Sequence, residues 1–183
     1  MTFARVPLSM MVLLLASAAP ATAQRAWVEA AGPNVTVISD AGAGRARDIA
    51  WQLEQIREAV ARTFPWIRVA FTRPLVVLAA RNVTTMRALA PGLWDDGRDG
   101  SIYTSVGGGG RYYKFSIVRA DIRLDDREGI SPYQSAYWSF TAQALGDTSP
   151  NFPEWLVRGM SEMLSNTLVR EKEIQVGRTL PQN

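Results

Sequence analysis

The chain has 183 residues, of which 47% are hydrophobic and 20% charged, as in an ordinary globular domain with a packed core. Its net charge is only +3, and basic residues are scattered among acids, so the charge pattern does not indicate nucleic-acid binding. The complete absence of His and Cys excludes Ser-His-Asp and Cys-His catalysis, disulfide bonds and the usual zinc ligands. Any metal would need a loop of oxygen ligands, and because no acidic loop has that spacing we expect neither a metal nor a cofactor.

Residues 1–23 have the pattern of a cleavable signal peptide. Arg5 supplies a positive n-region, residues 8–19 are an unbroken apolar or small run, and residues 21–23 fit small-residue cleavage, which we predict after Ala23. The run is short for a membrane helix, and no later segment reaches the roughly 18 apolar residues that one needs. We therefore expect a periplasmic or secreted protein with no membrane span after cleavage.

The first half of the remaining chain predicts a hairpin, a helix and a buried strand. Residues 26–30 and 35–38 are short strands on either side of a Gly-Pro turn. Residues 45–64 have helical period, and the helix ends before Pro65. Its apolar stripe consists of Ile49, Leu53, Ile56 and Val60. The apolar run 75–79 is predicted to be a central strand, covered on both faces.

The middle of the chain predicts a short helix and a second hairpin. Asn82 or Thr84 caps a helix to about Leu89, and residues 93–102 form a polar and acidic loop. Strands are predicted over 102–106 and 112–118, joined by a run of glycines. A phosphate-binding loop would need a Lys-Ser/Thr pair and then a helix after the glycines, so we interpret this run as a hairpin tip.

Two helices and a short strand complete the predicted fold. Ser131 is the predicted N-cap of a helix that runs to about residue 145 and stops at Gly146. A second helix spans 153–168, and residues 172–176 form a last strand. The fold class is therefore α+β, with a mixed sheet, an N-terminal amphipathic helix and a C-terminal two-helix unit. We predict one domain over residues 24–183.

Three residues at the start of the first C-terminal helix have the spacing of a zinc-protease motif. Such a motif places two His residues at i and i+4, with a Glu beside the first to activate water. Here these three positions hold Tyr133, Tyr137 and Gln134. The spacing is that of a metal site, whereas the side chains are not metal ligands.

The second C-terminal helix extends the similarity. Residues 155–162, Trp-Leu-Val-Arg-Gly-Met-Ser-Glu, resemble the gluzincin metallopeptidase helix Trp-Leu-x-Glu-Gly-x-x-Glu, in which the first Glu is the third zinc ligand. Over residues 25–177 the chain resembles the bacterial peptidase-MA-like (DUF1570-type) family, in a branch without the ligands. Arg158 occupies the ligand position and Glu162 the second acidic position. Members of that family often carry helical repeats after this domain, so we expect either a short member or a fragment.

The substituted side chains remove the chemistry that the resemblance implies. A tyrosine phenol is neutral at pH 7, a Gln amide cannot act as a general base, and an Arg repels a dication. We therefore expect no zinc peptidase activity, no catalytic residues and no metal ligands.

Two interpretations of the motif remain open. In the first, the tyrosines are core aromatics whose hydroxyls find buried partners. In the second, the motif lines a degenerate cleft that binds a peptide, a protein or an anionic ligand, with the Arg favouring a carboxylate. The candidate cleft residues are Tyr133, Gln134, Tyr137, Arg158 and Glu162.

The leading functional hypothesis is an exported, non-catalytic pseudo-metallopeptidase domain that serves as a binding or scaffold module in the cell envelope. The alternative is a zinc-independent hydrolase that reuses the cleft, with Glu162 or Glu154 as acid or base assisted by a tyrosine. A third hypothesis is an envelope assembly factor that binds through exposed aromatics such as Trp94 or Tyr103.

Overall fold

The computed structural model describes residues 26–97, 99–100, 105–108, 115–122, 131–170 and 173–178. Within these residues the fold is α+β, as predicted, with a mixed five-stranded sheet and four α-helices. The predicted signal peptide lies outside the described residues, as do the tip of the glycine hairpin and most of the charged connector that follows it.

Five strands form the main sheet in the order β1-β2-β3-β5-β4. They are β1 (Val28–Ala31), β2 (Val35–Ser39), β3 (Leu75–Ala80), β4 (Ser105–Gly108) and β5 (Phe115–Arg119). The three inner strands are parallel, and each edge strand is antiparallel to its neighbour. The central position predicted for the apolar run is confirmed, because β3 pairs with a strand on each side.

Helix α1 (Ala43–Thr63) packs on one face of the sheet against β1 and β2. All four residues of its predicted apolar stripe are buried, which is the face expected of an amphipathic helix on a sheet. Arg45 also fixes the start of α1 to the chain after β5, since its guanidinium donates to the backbone oxygens of Ala120 and Ile122 at 2.8 and 2.9 Å.

Helix α2 (Val83–Leu89) belongs to a second, smaller apolar cluster, built on Ala80, Met86 and Ile117. Ala79 belongs to the main core and Ala80 to this cluster; because successive side chains of a strand point to opposite faces, the clusters lie on opposite faces of the sheet. The predicted cap is confirmed, since Oδ1 of Asn82 accepts from the amide of Thr85 at 3.0 Å.

The prediction of a loop over residues 93–102 was wrong over part of this range. Residues Pro91–Gly97 form a 3-10 helix. Leu93 and Trp94 pack against the second cluster. These apolar contacts stabilise the 3-10 helix, which the acidic composition of the segment did not indicate. A proline at the first position also sets a helical φ in advance.

The C-terminal unit consists of α3 (Gln134–Thr148), α4 (Glu154–Ser165) and a small hairpin of β6 (Leu168–Val169) with β7 (Ile174–Gln175). The predicted N-cap was wrong, because α3 begins at Gln134 with Tyr133 in the cap position. Ser131 instead closes a preceding turn: its Oγ accepts from the Tyr133 amide and its carbonyl accepts from the Gln134 amide, each at 3.2 Å.

Both helices also end elsewhere than predicted. Gly146 does not stop α3, which continues to Thr148, where the Thr148 hydroxyl donates to the carbonyl of Ala144 at 2.7 Å. Helix α4 ends at Ser165 rather than near residue 168, because Leu168 and Val169 are buried and pair with β7. Strand pairing therefore competes successfully with continuation of the helix.

Candidate functional site

The two motif tyrosines lie together at the start of α3. The amide of Tyr137 donates to the carbonyl of Tyr133 at 3.0 Å, which is the first hydrogen bond of the helix, and the ring centroids are 6.2 Å apart. Both side chains belong to the main core, with Tyr133 3% and Tyr137 0% exposed. The i, i+4 spacing therefore places two aromatic rings side by side in the interior, as core packing requires.

Polar groups of α1 surround the hydroxyls of these tyrosines. The Tyr137 hydroxyl donates to Oε1 of Gln52 at 3.1 Å. Burial raises the pKa of Tyr137, and a hydrogen bond with Ser131 only partly opposes this. Burial also raises the pKa of Tyr133, although the positive charge of Arg45 acts in the opposite direction. Both phenols are therefore neutral at physiological pH, and neither supplies a phenolate to a metal.

Gln134 occupies the position of the catalytic Glu and makes a structural contact. Its Nε2 donates to Oδ1 of Asn166 at 2.7 Å, and Nδ2 of Asn166 donates in turn to the carbonyl of Glu162 at 3.1 Å. This chain of hydrogen bonds joins the first turn of α3 to the end of α4. The amide serves as a donor here, which a carboxylate at the same position could not do.

Arg158 and Glu162 lie on the solvent-exposed side of α4. Within the described part of the chain, neither side chain forms a hydrogen bond or an ion pair. Four of the five predicted cleft residues therefore separate into a buried tyrosine pair and an exposed charged pair, while the half-buried Gln134 bonds to Asn166. Burial of an aromatic ring lowers the free energy, whereas burial of an unpaired charge raises it. The tyrosines are therefore buried, and the two charged side chains stay in water.

The glycine-containing strand β4 lies directly against the start of α3. A Cβ on Gly107 would be 3.0 Å from Oγ of Ser139, so a side chain there would displace the helix or its serine. The Ser139 hydroxyl in turn accepts from Oγ of Ser116 on β5 at 3.0 Å, and the Ser135 amide donates to Oγ of Ser105 at 3.2 Å. Small residues thus let the β4–β5 hairpin approach the motif helix closely.

The residues present do not fit a zinc ion. Among the described residues, no group of three or more His, Cys, Asp or Glu side chains is placed to hold a metal. The motif positions offer two neutral phenols, one amide already engaged by Asn166 and one guanidinium. A zinc site needs thiolate, imidazole or carboxylate donors, so this donor set is unsuitable.

Sequence reasoning missed the α1 side of the tyrosine pair, which consists of Arg45, Asp48 and Gln52. Arg45 and Asp48 act electrostatically on Tyr133, and Gln52 accepts from Tyr137. A signal was present, since these residues follow the i, i+3, i+7 spacing of one helical face and flank the apolar stripe. Polar residues beside a buried stripe are candidates for partners of buried polar groups.

The solvent side of α4 carries more than its two charges. Trp155 is 74% exposed, and Met163, two turns further on, is 39% exposed. Gly159 lies between them at the i+4 position, and a Cβ added there would meet no atom within 4 Å. The opposite side of the helix is buried through Ser161, Leu164 and Ser165. We call Trp155, Gly159 and Met163 the α4 stripe.

Of the two aromatics named in the assembly-factor hypothesis, Trp94 is less exposed than expected. Trp94 is half-buried in the second cluster, and the guanidinium of Arg87 lies 5.7 Å from the centroid of its ring. Tyr103 lies outside the described residues. Among the residues that the structure describes, the exposed large aromatics are Trp27, Trp51, Trp66 and Trp155.

The part of the chain that the structure describes contains no helix with the length and apolarity required to cross a membrane. Comparison of the chain with protein-family models, with curated proteins and with solved structures found no match.

Proposed function

We propose that this chain is an exported, non-catalytic binding or scaffold domain on a gluzincin-like pseudo-metallopeptidase frame, and that it binds protein through the exposed face of α4. The supporting observation is the separation of the motif into two parts. The tyrosine pair is committed to the core through α1, while Arg158 and Glu162 remain on the surface of α4 without partners among the described residues.

The composition of the α4 face also favours protein recognition. Trp and Arg are the residues most enriched among those that dominate protein–protein binding energy. Here an exposed Trp155 and an exposed Arg158 lie one turn apart, and Met163 extends the apolar surface. Their exposure costs the isolated domain little, because single surface hydrophobics are tolerated, but together they provide an apolar centre with a charged rim.

The zinc-independent hydrolase receives less support. Glu154 and Glu162 are exposed to solvent on α4, so neither carboxyl group is enclosed in an apolar pocket. The tyrosines that would assist are buried in the core, and the Tyr137 hydroxyl is already bonded to the half-buried Gln52 of α1. An acid–base pair needs groups within hydrogen-bonding reach of one substrate, and this arrangement does not supply them.

Metal content tests the proposal directly. We expect elemental analysis of the purified chain to give far less than one zinc ion per chain, and a chelator to leave the thermal melting temperature unchanged. A stoichiometric zinc ion whose removal lowers the melting temperature would overturn the non-catalytic assignment, because structural and catalytic zinc both couple to folding.

The competing hydrolase has its own test. If the chain turns over any ester, amide or glycoside in a broad screen, Glu162→Gln or Glu154→Gln should abolish that activity, while Glu29→Gln, exposed on β1, serves as the control. We expect no turnover by the parent chain, so all three variants should be indistinguishable from it.

A further inference from the structure

We infer that the α4 stripe binds a second copy of this chain, with the two α4 helices packed antiparallel across a two-fold axis at Gly159. This inference rests on the proposed function, since it names the partner of the α4 face. It makes the chain a weakly self-associating scaffold.

Gly159 is not required by packing within the part of the chain that the structure describes. A glycine in the interior of a 12-residue helix costs roughly 0.5–1 kcal/mol relative to alanine. Outside the backbone of its own helix, an added Cβ would meet no described atom within 4 Å, so no neighbour among the described residues requires a glycine here. A glycine is useful at such a position when another backbone approaches closely from outside.

The α4 stripe is complementary to itself. In an antiparallel pair centred on Gly159, each Trp155 faces Met163 of the other copy, because the two residues lie four positions to either side of the centre. The two glycines meet at the axis, where they let the helices approach. Contact between a thioether and an aromatic ring is favourable, so the same apolar contact is made twice.

The charged residues beside the stripe also favour a second copy as the partner. Arg158 and Glu162 lie on the same flank of the stripe, one turn apart. In this order along a helix, with the cation first, an i, i+4 pair is the less favourable one, and no ion pair joins the two side chains here. Across the two-fold axis, Arg158 of each copy lies beside Glu162 of the other. The rim thus forms two intermolecular ion pairs, which set the antiparallel orientation.

Met163 is held in place for this contact. A Cβ on Gly177 would lie 3.0 Å from Cγ of Met163, so the methionine side chain rests against the backbone that follows β7. Gly177 has φ +63°, a conformation that favours glycine. The far end of the stripe is therefore backed by the chain itself and needs little ordering on association.

The size of the surface limits the affinity. Helix α4 has 12 residues and is about 18 Å long, so a single helix pair buries less than a stable dimer interface of about 1,600 Å². We therefore expect a reversible dimer whose dissociation constant is roughly micromolar or weaker. The competing hypothesis is that a different protein binds this face. Such a partner would not make use of the self-complementary contacts of the stripe.

Sedimentation velocity of the full chain over a concentration series tests the inference. We expect a monomer–dimer equilibrium, weakened at least about tenfold in Gly159→Ala, which separates the helices at the axis, and in Trp155→Ala, which removes the aromatic ring that contacts the partner. Gly146→Ala is the matched control: it also adds a methyl group to an open glycine of a helix, on α3. It should leave the dissociation constant unchanged. Both glycine variants should raise the melting temperature of the monomer, which excludes misfolding as the cause.

Charge exchange gives a second, independent measurement. Arg158→Glu alone and Glu162→Arg alone should each weaken the dimer, whereas the double variant Arg158→Glu/Glu162→Arg should restore it. A chain that is monomeric at the highest concentration, or a dimer that tolerates Gly159→Ala, would overturn the inference. Either result leaves the zinc measurement untouched, so failure of the dimer and failure of the non-catalytic assignment are distinguishable.

Discussion

The hydroxyl of Tyr137 on α3 donates to Oε1 of Gln52 on α1 at 3.1 Å, across 85 positions of sequence. This hydrogen bond joins the two helices that pack on the same face of the sheet. The second position of the protease-like motif thus holds a core contact. Substitutions at this motif position should therefore change the stability of the fold.

Removal of this hydroxyl should destabilise the protein modestly at neutral pH. Tyr137→Phe keeps the ring in the core but leaves Gln52 without its donor, and the expected loss is about 0.5–1.5 kcal/mol. Urea denaturation followed by tryptophan fluorescence measures the change. Tyr137→Ala is expected to cost more, because it also leaves a cavity; a Tyr137→Phe variant as stable as the parent chain would contradict a role for the hydroxyl.

The same residue should make the fold sensitive to alkali. Burial raises the pKa of Tyr137 above that of an unfolded tyrosine, which is about 10. Above that pH the unfolded chain releases the proton while the folded chain keeps it, so the free energy of unfolding decreases as pH rises. Below that pH the contribution of Tyr137 to the free energy of unfolding does not change with pH. Stability curves from pH 8 upward should fall less steeply in Tyr137→Phe than in the parent chain.

The apolar stripe of α1 should contribute most of the stability of that helix. Leu53 is completely buried, so Leu53→Ala is expected to cost about 2–5 kcal/mol. Arg47 is exposed on the same helix, and Arg47→Ala should change the free energy of unfolding by no more than about 0.5 kcal/mol. Thermal and urea denaturation of both variants would measure the contrast, and a similar loss in the two would contradict the assigned face.

Close approach of β4 to α3 should make Gly107 intolerant of a side chain. In Gly107→Ala the new methyl group would lie 3.0 Å from Oγ of Ser139, and the expected cost is about 1–3 kcal/mol. Gly44→Ala is the control, because an added Cβ there meets nothing within 4 Å. Combining Gly107→Ala with Ser139→Ala should recover part of the loss in a double-mutant cycle; strict additivity would contradict the proposed clash.

Much of the fold was predictable because local signals decide it. The stripe of α1 repeats over about three turns, the apolar run of β3 is bounded by Pro74, and the side chain of Asn82 reaches an amide only three residues away. Each signal acts within a helix turn or a strand, where few alternatives compete. The end of α4 was less predictable, because Leu168 and Val169 pair with a strand that comes later in the chain.

The sequence by itself determined that His and Cys chemistry is absent and that Tyr133 and Tyr137 share one side of a helix. Only the tertiary structure decided which side that is. The buried residues of helix α3 lie around most of its circumference, against the sheet and α4, so hydrophobic periodicity could not orient it. The orientation comes from α1, whose Gln52 and Arg45 meet the hydroxyls in the core, while packing of α4 leaves Arg158 and Glu162 in water.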